Sequence, residues 1–167
     1  MKKTLSGALA AAALFVFASS ASAQTTLATQ NVLAQVTVGN QARLTVGGGP
    51  ITFADSDPDT VPQIAAGAPV TVQARARVAP GTQLNVTVSA AAAFFDATNT
   101  IPVTAMEWTA SGDASFVGGA MATTEQNVSQ WVGPAQQNGT QNYTLNNSWD
   151  YAPGTHQVQL TYTLSTP

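Results

Sequence analysis

Val70-Thr71-Val72-Gln73-Ala74-Arg75-Ala76-Arg77-Val78 alternates apolar and polar side chains without a break. A period of two places Val70, Val72, Ala74, Ala76 and Val78 on one face and Thr71, Gln73, Arg75 and Arg77 on the other. That is the pattern of a strand buried on one side, and no 3.6-residue stripe fits it. The same alternation continues outward on both sides. Past the Ala79-Pro80-Gly81 turn, Leu84, Val86 and Val88 alternate with Asn85, Thr87 and Ser89. Upstream, Ala42, Leu44 and Val46 alternate with Arg43 and Thr45 until Gly47-Gly48-Gly49-Pro50 breaks the run, and Ile51 and Phe53 open a short strand. At the far end His156, Val158, Leu160, Tyr162 and Leu164 share a face. Further segments around 101–109, 127–132 and 140–145 complete the set. Short alternating segments punctuated by Gly, Pro, Asn and Asp predict an all-β fold: an antiparallel immunoglobulin-like Greek-key β-sandwich of about 7–9 strands.

The first residues read as an address. Lys2 and Lys3 precede a largely apolar Leu5–Ala18, and Ala21-Ser22-Ala23 supplies the small-x-small pattern of a cleavage site. The apolar stretch is shorter than the roughly 18–20 residues that span a bilayer. Residues 1–23 are therefore expected to be a cleaved signal peptide, with 24–167 as a single secreted domain of a bacterium and no stable membrane insertion.

Composition narrows the function further. The chain has no cysteine, and Lys2 and Lys3 are its only lysines. With the leader set aside, Arg43, Arg75 and Arg77 face eight carboxylates, a net charge of −5. Nucleic acid, which needs clustered cations along its phosphates, is a poor partner. Thiol nucleophiles, Schiff bases and His-rich zinc sites lack their residues. A Ser–His–Asp relay would have to use His156, which continues an apolar strand face and has no nucleophile elbow beside it. Glu107 and Glu125 are the pair a glycosidase would need, but nothing in their spacing brings them together. The expectation is a protein that is not an enzyme.

Three binding features remain. Asp55, Asp57 and Asp59 alternate in one loop and could ligate calcium, although the glycine and distal glutamate of an EF-hand are missing; turn formation explains the same residues. Trp108, Trp131 and Trp149 are candidates for a glycan-stacking platform or for core anchors. Leu27, Val32, Ala34, Val36 and Val38 form an irregularly alternating segment near the mature start. It can serve as the domain's own first strand, or as a strand donated to a neighbouring subunit through main-chain hydrogen bonds and side-chain pockets.

The C-terminal residues 138–167 carry a family resemblance. Asn138-Gly139-Thr140-Gln141-Asn142-Tyr143-Thr144-Leu145 leads through Trp149-Asp150-Tyr151-Ala152-Pro153-Gly154-Thr155 into Val158-Gln159-Leu160-Thr161-Tyr162-Thr163-Leu164. This ending resembles that of secreted bacterial pilins of the spore coat protein U type, in which a Pro/Gly turn leads to a final Thr- and Tyr-rich strand. The chain departs from that pattern in lacking cysteines and in placing His156 where an aromatic is more usual. The resemblance implies an immunoglobulin-like subunit that polymerises. The expected function is thus a structural subunit of a filament, pilus or surface coat, assembled as a homopolymer by strand exchange. The alternative is a monomeric glycan- or calcium-dependent binding module. No other cofactor is expected.

Overall fold

The computed structural model describes residues 28, 30, 32–96 and 100–167. The chain divides into two units, Met1–Val36 and Thr37–Pro167. In the first, residues 32–36 form no strand, and Val32, Leu33 and Val36 are exposed, Val36 by 83%. Leu27 lies outside the described residues.

Among its described residues the second unit holds nine strands: β1 Gln41–Gly47, β2 Gln63–Ala65, β3 Val70–Arg77, β4 Gln83–Ala90, β5 Met106–Gly112, β6 Gly119–Ala120, β7 Gln126–Val132, β8 Ala135–Asn146 and β9 Leu160–Ser165. All pairings are antiparallel. One sheet runs β1-β3-β8-β5-β6, with β2 also paired to β8; the other runs β7-β4-β9. The 12 residues of β8 are long enough to take two partners on one side. β3 pairs with Ala135–Gln141, and β2 continues along Thr144–Asn146. The only regular helical element among the described residues is a 3-10 turn at Val103–Ala105, and none of their helices could cross a membrane.

The inward faces follow from the alternation. Val70, Val72, Ala74 and Ala76 of β3 are buried, as are Leu84, Val86, Val88 and Ala90 of β4. They meet Met106 and Trp108 of β5, Val128 and Trp131 of β7, and Tyr143 and Leu145 of β8 in one core. Each fully buried side chain of Val or Leu size contributes about 1.5–3 kcal/mol of transfer free energy.

Several strands differ from expectation. Residues 32–38 form no strand, and Ile51–Phe53 gives a single bridge, Phe53 to Ala66. The last strand starts at Leu160 rather than near His156, because its partner β4 ends at Ala90, opposite Leu160. β8 extends well beyond 140–145. Its buried positions include Gly139 and Gln141, which break the apolar rhythm by which a strand is recognised. Gly139 is required there by close approach: the Phe116 ring occupies the space a Cβ would fill.

Candidate functional site: the open edge between β1 and β9

β1 and β9 are the outermost strands of their sheets on adjoining sides of the unit, and they touch. β1 pairs only with β3, and β9 only with β4, among the described residues. The register fixes which side chains face inward. Ala42, Leu44 and Val46 lie opposite the core residues Ala76, Ala74 and Val72. Leu160, Tyr162 and Leu164 lie opposite Ala90, Val88 and Val86. An inward strand face in a closed core would be buried. Here Ala42 is exposed, Val46 is 41% exposed, and Leu44, Leu160, Tyr162 and Leu164 are only half-buried. The core therefore reaches the surface along this seam. The main-chain groups on the free sides of β1 and β9 form two unpaired edges of the kind that accept another strand.

Beneath the seam lies a polar triad that links the sheets. The Tyr143 hydroxyl on β8 meets the Tyr162 hydroxyl on β9 at 2.6 Å. Tyr162 donates to Oε1 of the fully buried Gln141 at 2.6 Å. Since the Tyr162 proton goes to Gln141, Tyr143 is the donor between the two phenols. Burial is the main cause raising the Tyr143 phenol far above its ordinary value. Burial raises Tyr162 as well, opposed by the bond from Tyr143. Nε2 of Gln141 has no partner in the fold, which is unusual for a buried amide.

The other candidate residues fall in separate places. Asp55, Asp57 and Asp59 lie in an exposed loop where Oδ1 of Asp57 accepts the Asp59 N–H at 2.9 Å, and its carbonyl accepts from Thr60 and Val61. That is an Asx-type turn. Among the described residues no three His, Cys, Asp or Glu side chains gather as a metal site. The three tryptophans do not form one platform. Trp108 is buried, donates to the Val117 carbonyl at 3.0 Å and stacks obliquely on Tyr143; Trp131 is buried too. Trp149 is 70% exposed and donates to Oδ1 of Asp59 at 3.1 Å. Glu107 lies on β5, whereas Glu125 accepts from Thr87 of β4, so the two belong to different sheets. His156 holds Asp96 Oδ2 at 2.6 Å through Nδ1 and the Ala152 carbonyl at 2.7 Å through Nε2. Neither ring nitrogen is left for a serine hydroxyl.

No protein-family model and no curated protein sequence matches the chain. The seam was not legible in the sequence. Alternation marks a face as apolar but says nothing of which strand ends at an edge. Gln141 and Tyr162 gave no separate signal, since their pairing is set by the packing of β8 against β9.

Proposed function

We propose that the chain is an exported, non-enzymatic subunit of a surface filament or coat, polymerised by strand exchange between copies. The observation that carries this reading is the seam: two strand edges, unpaired among the described residues, flanking apolar side chains that their own domain covers only in part. In this reading the fold is an immunoglobulin-like Greek-key sandwich short of one strand. β1, β3, β8 and β5 stand in the order A, B, E, D of that fold, with β4 and β9 as C and F, and among the described residues no strand stands at G. A segment from a neighbouring copy fills that place. The donor is the segment from residue 24 to 38, where Leu27, Val32, Ala34, Val36 and Val38 supply the apolar side chains. Support comes from the lack of any strand at 32–38 and from the exposure of Val32, Val36 and Val38. Leaving such side chains in water is unfavourable, and seating them against Leu44, Val46, Leu160 and Leu164 recovers that free energy.

Negative-stain micrographs of the purified chain test this. The wild type forms fibres. The double substitution Val36→Asp with Val38→Asp gives monomers of unchanged melting temperature. Fibres persisting in the double variant would sink the donor assignment; unfolded monomers would mean the segment belongs to its own domain.

One observation favours the second reading, a glycan-binding module. Trp149 presents its ring to solvent beside the carboxylates of Asp59 and Asp150, a combination that stacks on sugar rings and accepts from their hydroxyls. A strictly monomeric chain whose Trp149 fluorescence shifts with soluble oligosaccharides would favour it.

A further inference from the structure

The three arginines past the leader, spread over 35 positions of sequence, come together on one patch. Arg43 of β1 lies directly opposite Arg75 of β3, and Arg77 stands two residues along the same outward face. Directly opposed residues on one face hold their Cβ atoms about 4.5–5.5 Å apart, and like charges so placed are destabilising. Among the described residues no carboxylate forms an ion pair with any of the three, the sole pair being His156–Asp96. Arg77 Nε spends one donor on the Gly39 carbonyl at 3.0 Å. Arg43, Arg75 and Arg77, with Gln41, Gln136 and the alanines Ala42, Ala76 and Ala135, line an open depression of about 580 Å³. An otherwise acidic chain has gathered its cations where they repel one another, at a surface that offers them no internal counter-charge.

The counter-charge lies at the other end of the molecule. Arg75 is registered with Gln136, at the start of β8. Past the last residue of β8, Asn147 Nδ2 donates to the carbonyls of Ser56 and Val61 at 3.0 Å each, and Trp149 holds Asp59. These bonds pin the Asp55–Val61 loop to the end of β8 and set Asp55, Asp57 and Asp59 near Asp150, all four exposed. Along β8 the run from Gln136, opposite Arg75, to Asn146 separates the two clusters by about 33 Å at roughly 3.3 Å per residue. On the other flank of β8, Asp113 accepts the Asn138 N–H at its Oδ2 at 2.7 Å, and it forms no ion pair with the arginines. Three cations at one pole and four carboxylates at the other make a surface complementary to its own copy, end to end.

We propose that the Arg43/Arg75/Arg77 patch docks the Asp55–Asp59 and Asp150 pole of a second copy, a head-to-tail contact distinct from the seam. Such a heterologous, head-to-tail contact gives an open filament when the rotation between copies does not close into a ring. Charge complementarity of this kind fixes register and hastens encounter more than it adds affinity. The proposal rests on the filament reading but engages other residues, so the two can fail separately.

Because the chain has no cysteine, introduced thiols report only the designed contact. The full chain, expressed with its own leader, carries Arg75→Cys together with Asp55→Cys. Oxidation of the assembled material should give a ladder of disulfide-linked multimers. A control with Arg75→Cys and Thr109→Cys, both exposed on the same sheet, should give at least five-fold less. Equal ladders overturn the proposal. In parallel, Arg43→Glu with Arg75→Glu, and separately Asp55→Arg with Asp150→Arg, should each slow oligomer growth about ten-fold at low salt. Carrying both reversals in one chain restores the complementarity and should return growth to within about two-fold of wild type. Growth unaffected by either reversal, or not rescued by the combination, overturns the docking. So does dextran sulfate binding that the arginine reversals abolish while growth stays unchanged, since the patch would then serve a polyanion. Cross-linked multimers from a chain that never forms fibres would uphold this contact and defeat the filament reading; fibres indifferent to charge reversal would do the opposite.

Discussion

Tyr162 accepts from Tyr143 and passes its own proton to Gln141, so one hydroxyl holds a three-member chain across the two sheets. Tyr162→Phe leaves the Gln141 carbonyl without its short donor and the Tyr143 hydroxyl without its 2.6 Å acceptor. Unfolding in urea should show a loss of about 1–3 kcal/mol, the cost of stranding buried polar groups. The same phenols give stability a pH dependence. In the fold both are raised above the ordinary phenol value of 10.0, chiefly by burial. As pH rises past about 10 the unfolded chain releases these protons and the folded chain keeps them. Their stabilisation is complete below that pH and drains away above it. Alkaline titration should therefore show phenolate absorbance from Tyr143 and Tyr162 appearing together with loss of structure. A smooth titration of all three tyrosines near pH 10 in a folded chain would contradict the buried triad.

At the scale of elements, β3 and β4 were readable because hydrophobic burial alone dictates their inward faces, and they are buried as the alternation says. β7 was a weaker reading around 127–132, because Val128 and Ser129 are buried side by side where its register against β4 shifts. β8 was read short, since its sheet position tolerates Gly139 and Gln141 where pattern reading expects aliphatics. β2 and β6, three and two residues long, carry no period at all and exist only because β8 and β5 offer ladders to them. The candidate site was legible only in its parts: alternation marked apolar faces on β1 and β9, but an uncovered face is a property of two edges meeting. The edge reading makes its own prediction. Amides of β9 directed away from β4 should exchange with solvent at least ten-fold faster than those directed into the β4 ladder. Assembly should protect them, as measured by hydrogen exchange with mass spectrometry.

For the whole molecule, the shortage of charge shapes behaviour more than any one contact does. With three arginines against eight carboxylates beyond Lys3, solubility rests on Thr, Gln, Asn and Ser, and screening acts on few long-range terms. The two poles are the exception. Since about 8 Å is the screening length at physiological ionic strength, their attraction between copies works only at near contact. Raising salt from about 0.05 to 0.5 M should slow end-to-end growth of the wild type several-fold, followed by light scattering. The melting temperature should hardly move, because the one ion pair among the described residues is His156–Asp96.

The placement of the arginines has a further result. Beyond Lys3 a trypsin-like protease has three sites to attack, and each lies in the β1–β3 ladder, Arg43 opposite Arg75 and Arg77 opposite Gln41. Cleavage needs several residues of extended chain to enter the enzyme's cleft, which a hydrogen-bonded ladder withholds until it opens. The folded chain should outlast tryptic digestion for hours, although its loops are exposed and its edges bare. The first cut should report the peeling of β1 from β3. A coat built from such subunits would be durable against trypsin-like enzymes because the few bonds they cut are woven into cloth.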